Sequence, residues 1–210
     1  MDFTKEKKMA PANAVFCGVD EAGRGPLVGR VYAAAVILPP AAENDPDLAA
    51  LNDSKKLSEK KRMILAEHIK KIAVSYAVTY NEPETIDRIN ILQASLDCME
   101  RAIDLLDPKP AFAFIDGNKT GGITTPCRAV VGGDALLPSV AAASILAKTE
   151  RDKYCVEVLD KLYPAYGFAV HKGYGTKAHY DAIARLGLCP AHRVSFFKNG
   201  KHPIGGHDAK

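Results

Sequence analysis

Two apolar runs near the start of the chain set the pattern. Ala14–Asp20 runs apolar into acids, and Val28–Leu38 is rich in Val, Ile, Tyr and Ala. Both read as strands, and the Gly-Arg-Gly-Pro between them reads as their connection. Ser58 is an N-cap residue type. Met63, Ile64, Ile69 and Ile72 follow near helical spacing and predict a helix. Ala73–Tyr80, rich in Val, Thr and Tyr, reads as a strand. Asn90–Leu106 carries Ile91, Leu92, Leu96, Met99 and Ile103 at a helical period. Ala111–Asp116 is a short buried strand ending in an acid, and Arg128–Val131 is another. Pro138–Leu162 reads as one long helix whose alanine-rich first half predicts a close-packed partner, and Thr176–Leu186 reads as a last helix. Strands come first and then alternate with helices. That order indicates an α/β domain with a mixed central sheet flanked by helices. Residues 1–12 and 198–210 read as flexible tails around a single domain, 13–197.

Composition narrows this picture. The 210 residues suffice for one substantial core, and 47% apolar with 25% charged residues is an ordinary globular balance. The apolar stretch Val31–Leu38 is far too short to span a bilayer, which argues against a membrane partner. The opening MDFTKEKKMAPAN has charge but no apolar centre, so the expected location is the cytoplasm. Five dispersed cysteines with no C-x-x-C pair argue against a disulfide framework or a zinc cluster. The net charge of +3 does not by itself require a nucleic-acid partner. Its distribution says more: Lys55, Lys56, Lys60, Lys61 and Arg62 are crowded, and basic residues dominate from His171 onward. Such an excess suits a phosphate backbone, and it also suits a solvated helix face.

The candidate chemistry lies in four acids. Asp20 and Glu21 close the first strand, Asp116 closes a later one, and Asp134 sits in a Gly-Gly-Asp ahead of the long helix. Functional groups of α/β sheets gather beyond strand ends. Four carboxylates there would repel one another unless a hard cation such as Mg²⁺ or Mn²⁺ neutralised them. Strict alternation would send Asp20 and Glu21 to opposite faces, so both reach one site only if the strand ends or twists there. Each acid taken singly also suits a turn or a helix start, and the pattern leaves both readings open.

At these residues the sequence resembles a known family. GVDEAGRGPLVGRVYAAAVIL (Gly18–Leu38) resembles the opening motif of ribonuclease HII. NDSKKLSEKKR (Asn52–Arg62), FIDGN (Phe114–Asn118), GGD (Gly132–Asp134), AAASILAKTERD (Ala141–Asp152), HKGYGTKAH (His171–His179) and HRVSF (His192–Phe196) follow in the family's order. The resemblance covers nearly all of residues 14–197. It implies a ribonuclease H-like fold with a helical C-terminal segment. The implied activity is metal-dependent endonucleolytic cleavage of the RNA strand of RNA–DNA hybrids. Incision 5′ of single ribonucleotides embedded in duplex DNA is implied as well, with 3′-hydroxyl and 5′-phosphate ends.

By motif position, Asp20, Glu21, Asp116 and Asp134 match the catalytic, metal-binding acids, with Mn²⁺ or Mg²⁺ as cofactor. Gly132 stands where the family often has lysine, a departure beside Asp134. Gly23, Arg24 and Gly25 match the element that senses the ribose 2′-hydroxyl, which separates RNA from DNA. Tyr174 matches the tyrosine packing on the neighbouring deoxyribose, although a loop aromatic alone would be unremarkable. Lys55, Lys56 and Lys148 are candidates for phosphate contact, with Ser144 on the helix face that carries Lys148, Arg151 and Cys155. His171, His179 and His192 lack zinc spacing and read as structural or substrate-adjacent. Phe196-Phe197 lacks the upstream glutamine of a sliding-clamp peptide, so clamp binding is not expected. Two rivals remain. Another two-metal nuclease would share the acids but has no need of Gly-Arg-Gly together with Tyr174. A binding-only module would not need four acids.

Overall fold

The structure, a computed structural model, describes residue 1 and residues 3–197; the side chains of residues 52–56 lie outside that description. An interior strand of its sheet, β2 (Val31–Ile37), is buried along its whole length. Small and branched residues there (VYAAAVI) let helices approach both faces. β1 (Phe16–Ala22) and β3 (Ser75–Asn81) pair antiparallel with β2, while β4 (Phe112–Asp116) and β5 (Cys127–Val130) extend the sheet in parallel from β1. The order is β3-β2-β1-β4-β5, a mixed sheet as the strand–helix alternation predicts.

Of the helices, α1 is Phe3–Met9, α2 Glu59–Ile72, α3 Pro83–Ile89, α4 Ile91–Asp104, α5 Gly133–Leu136 and α6 Pro138–Tyr154. The short α7 (Asp160–Leu162) and α8 (Phe168–His171) precede α9 (Lys177–Leu186). Two of the larger apolar clusters fill the two sides of the sheet. On one side, Cys17, Val19, Ala33 and Ile115 meet Met99, Ala102 and Ile103 of α4. On the other, Ala34 and Val36 meet Ala141–Ala143 of α6, with Leu65 and Ile69 of α2 behind. Gly18 permits the tightest approach: a Cβ there would lie 2.2 Å from main-chain atoms of Ser139 and Val140. Ser58 caps α2 by accepting from the Lys61 amide, Asn90 caps α4 and Thr176 caps α9.

Two expectations need correction. The start of the chain, read as a loose tail through residue 12, includes α1. Glu6 on that helix is buried and accepts from the Ser139 amide at 3.1 Å, occupying an orphan donor in the first turn of α6. The long helix is also interrupted: α6 gives way at Cys155–Leu159 to a π-helical turn before α7. That turn packs Cys155 and Leu159 against Val28 and Phe168. Residues 198–210, read as a tail, lie outside the described residues. Among those described, no helix is long and apolar enough to cross a membrane. The five cysteines are free thiols, four of them buried.

Candidate active site

Strand register brings the first two acids together. β1 and β4 run parallel with Val19 opposite Ile115, so the next step places Asp20 beside Asp116 at adjoining strand ends. Alternation decides their face. Asp20 follows Gly18 by two positions and Asp116 follows Phe114 by two, and both Gly18 and Phe114 meet α6. Asp20 is buried, and the Ser144 hydroxyl of α6 bonds to its carboxylate. Burial first, then the nearby charges of Glu21 and Asp116, push its pKa well up, against the pull of Ser144.

Alternation also holds for Glu21, whose register partner Ala33 belongs to the α4 side of the core. Its side chain nonetheless borders the same cavity at the strand end and pairs with Arg24 at 3.3 Å. Burial raises the Glu21 pKa and Arg24 opposes the rise. Asp134 arrives from α5. Its amide donates to Asp116 Oδ1 at 3.4 Å, and its buried side chain lines the cavity. Gly132 has φ +67° with open space where a Cβ would stand, so the residue that differs from the family's usual lysine occupies a left-handed turn.

The cavity holds about 410 Å³ and is bordered by Glu21, Arg24, Arg62, Asp134, Lys148 and Tyr174. Arg62 was counted only within a basic cluster of the sequence. It reaches the site because Asp152, on the inner face of α6, accepts from it at 3.0 Å and from Lys148 at 2.7 Å. A single buried carboxylate thus holds two cations at the rim. Lys148 lies 5.8 Å and Arg151 5.1 Å from the centre of the Tyr174 ring. Gly23 and Gly25 line the turn opposite. A Cβ on Gly25 would touch Tyr174 at 3.6 Å, and Gly23 has φ +95° with the Arg30 carbonyl 3.0 Å from its missing Cβ. Leu27 donates to the Gly173 carbonyl at 2.9 Å and ties the two loops together. Of the predicted site residues, Asp20, Glu21, Gly23, Arg24, Gly25, Asp116, Asp134, Ser144, Lys148 and Tyr174 gather here. Lys55 and Lys56 lie at the end of a 3₁₀ turn, Pro46–Lys56, and their side chains are outside the described residues.

The histidines form a support behind Tyr174. Cys189 N–H donates to His192 Nδ1 at 2.9 Å, and His179 Nδ1 donates to the Tyr174 carbonyl at 3.0 Å. The 3.1 Å contact between the two Nε2 atoms must therefore carry the His192 proton toward His179. Burial lowers both pKa values to about 4, and His179 adds to the effect on His192. A different set of ligand-type groups, Asp45, Asp47 and His68, comes within 4.8 Å of one another, closer than the four acids do. There His68 reaches out through both ring nitrogens, Nε2 to Asp45 at 2.7 Å and Nδ1 toward Asp47 at 3.8 Å, which joins α2 to the start of the 3₁₀ turn.

Comparison with known proteins adds the following. The family model described as Ribonuclease HII matches residues 17–199. Proteins named Ribonuclease HII from two strains of Vibrio vulnificus, YJ016 and CMCP6, are each 52% identical over 179 residues, 85% of this chain and 84% of theirs. The crystal structure of ribonuclease H2 from Pyrococcus horikoshii superposes with a TM-score of 0.67 at 25% identity, over 85% of this chain and 92% of that one. The RNase HII chain solved in complex with PCNA from Archaeoglobus fulgidus gives 0.71 at 27% identity, over 86% and 93%.

Proposed function

Because the chain belongs to the ribonuclease HII family and is a metal-dependent ribonuclease of the RNase H type, we propose that it cuts RNA–DNA hybrids and also incises duplex DNA 5′ of a single embedded ribonucleotide. The observation that carries the reading is the meeting of two loops. The Gly23–Arg24–Gly25 turn and Tyr174 adjoin each other at the rim of the cavity that Glu21 and Asp134 border. Glycine backbone approaches a minor groove closely enough to meet a 2′-hydroxyl. A tyrosine ring packed on the next sugar favours one without that group.

Asp20, Glu21, Asp116 and Asp134 offer only carboxylate oxygens, the donor set hard divalent cations take. Burial, and after it the like charges of Glu21 and Asp116, raises the Asp20 pKa, and a bound cation would offset both. Two Mg²⁺ or Mn²⁺ ions held by these acids would supply activation of water and stabilisation of the departing oxygen. The chain's own residues do the rest. Asp152 fixes Arg62 and Lys148 to face phosphate, Ser144 holds Asp20 in orientation, and the two loops select the sugar. Water oxygen joins phosphorus, the bond to the 3′ oxygen breaks, and that oxygen takes a proton. The products end in 3′-hydroxyl and 5′-phosphate.

Phe197 packs inward against Leu27 and Ile183, and Phe196 lies under Arg193 at 5.2 Å. Both aromatics are engaged within the fold, which supports reading them as core and not as a clamp-binding peptide. The proposal is tested with a duplex carrying one ribonucleotide, with and without Mn²⁺, mapping the cut at nucleotide resolution. A Mn²⁺-dependent break on the 5′ side of the ribonucleotide is expected. A break elsewhere, or cleavage that persists in excess chelator, overturns it.

A further inference from the structure

The block His192–Phe196 has no part in the chemistry above, yet it contains one of the most deeply buried charges in the protein. Arg193 is fully buried. All five of its side-chain hydrogen bonds to described residues end on main-chain carbonyls of one loop. Nε donates to Gly29 at 2.9 Å. Nη1 donates to Pro26 at 2.7 Å and Arg24 at 3.2 Å. Nη2 donates to Gly23 at 2.7 Å and Arg30 at 3.0 Å. The Arg193 amide takes the Leu27 carbonyl at 2.9 Å. Six of the eight carbonyls from Gly23 to Arg30 are therefore held by one residue 163 or more positions away in sequence.

We infer that Arg193 is a positioning residue for ribose recognition, holding the Gly23–Arg30 loop in the shape its glycine backbone needs to meet a 2′-hydroxyl. The inference rests on the reading of that loop given above. The loop carries glycines at 23, 25 and 29 and so has little stiffness of its own. It folds back on itself, which turns its carbonyls inward, where each needs a donor. Guanidinium matches that demand with five N–H groups in a fixed planar fork, whereas an ammonium offers three from a single point. Asp87 anchors the segment from behind, accepting from the Val194 and Ser195 amides at 2.9 Å. The residue before it, His192, begins the chain of rings that ends on the Tyr174 carbonyl. Arg193 touches neither the cavity nor the acids, so its effect passes through the loop.

The test compares wild type with Arg193→Lys. Two constants are read: KM for a duplex with one ribonucleotide, and the inhibition constant of the same duplex made wholly of DNA. Wild type should bind the ribonucleotide duplex more tightly. In Arg193→Lys that preference should fall about tenfold through a rise in KM, because a binding group displaced by a fraction of an ångström loses its hydrogen bond. Amide exchange at Leu27 and Gly29 should quicken about tenfold while α6 stays protected. A purely structural role would reduce the folded fraction, lowering kcat and leaving both constants unchanged; that result overturns the inference. Preference intact despite faster exchange overturns it too. Wild type without ribose preference sinks the reading of the loop instead, and the inference with it. Should the lysine variant not fold, Arg193→Gln carries the same readouts, since it keeps N–H donors without burying a charge.

Discussion

Asp20 and Asp116 stand side by side on adjacent parallel strands, one step beyond the register pair Val19–Ile115. Their closeness is unfavourable in the metal-free chain, since burial and like charge both raise the Asp20 pKa. Asp20→Asn and Asp116→Asn should each reduce cleavage about a thousandfold or more, on the order of 4 kcal/mol of transition-state stabilisation. Without metal the same changes should raise stability by about 1 kcal/mol through relief of repulsion. Single-turnover assays and metal-free thermal melts check the two halves; a variant with near-normal cleavage removes that acid from the proposed metal set.

Tyr174 is expected to act on sugar choice and not on the metal. Its ring lies against Gly25 and beside Lys148 and Arg151. Tyr174→Ala should slow cleavage at a single ribonucleotide about tenfold more than cleavage of an all-RNA strand paired with DNA, the scale of one lost aromatic packing contact. The Mn²⁺ concentration needed for half-maximal rate should stay put. Equal losses on the two substrates would reduce Tyr174 to scaffold.

The paired histidines predict an acid weakness. His179 and His192 are buried neutral, with folded pKa values of about 4 against 6.5 for free imidazole. Their contribution to stability is complete above pH 6.5 and is lost as pH falls toward 4, on the order of 3 kcal/mol for the coupled pair. His192→Asn should be less stable at pH 8 yet show a shallower decline between pH 6.5 and 4.5. Parallel melting curves for the two proteins across that window would refute the assignment.

Glu6 predicts the opposite trend. Burial holds its pKa up at about 7 even though Ser139 donates to it. The folded chain then binds the proton more tightly than the unfolded one, so stability falls as pH rises from 4.5 through 7. Glu6→Gln keeps an acceptor for the Ser139 amide without the charge. It should be more stable than wild type at pH 8 by about 1–3 kcal/mol and equal to it near pH 5. Denaturant melts at the two pH values decide it.

How much of this was legible in the chain follows from the range of the interactions. Local rules found Ser58, Asn90 and Thr176 as starts of helices, and apolar runs found every strand among the described residues. The sequence blocks brought the four acids together, but only register explains why Asp20 and Asp116 share a face. The helix α1 escaped because its most buried docking residue is a glutamate, which looks solvent-bound until Ser139 comes to meet it. The π turn at Cys155–Leu159 escaped because its residues, CVEVL, include no glycine or proline to mark an interruption. Arg62 and Arg193 escaped for a common reason. Their partners, Asp152 and the Gly23–Arg30 carbonyls, lie at least 90 residues away, and nothing local to a basic residue says whether it ends in water or in the core.

The bare backbone at Gly18 has a consequence for how this site could change over time. The gap between sheet and α6 there is fixed by main chain meeting main chain. Contacts between side chains can drift through a succession of compensating substitutions; contact between backbones has no such intermediate steps. Ser144 and Lys148 ride on α6, and Asp20 sits two positions beyond Gly18, so their mutual spacing is inherited from a place where no alternative residue fits. Variation in this enzyme is thereby channelled into positions whose contacts run through side chains, where one substitution can be offset by another.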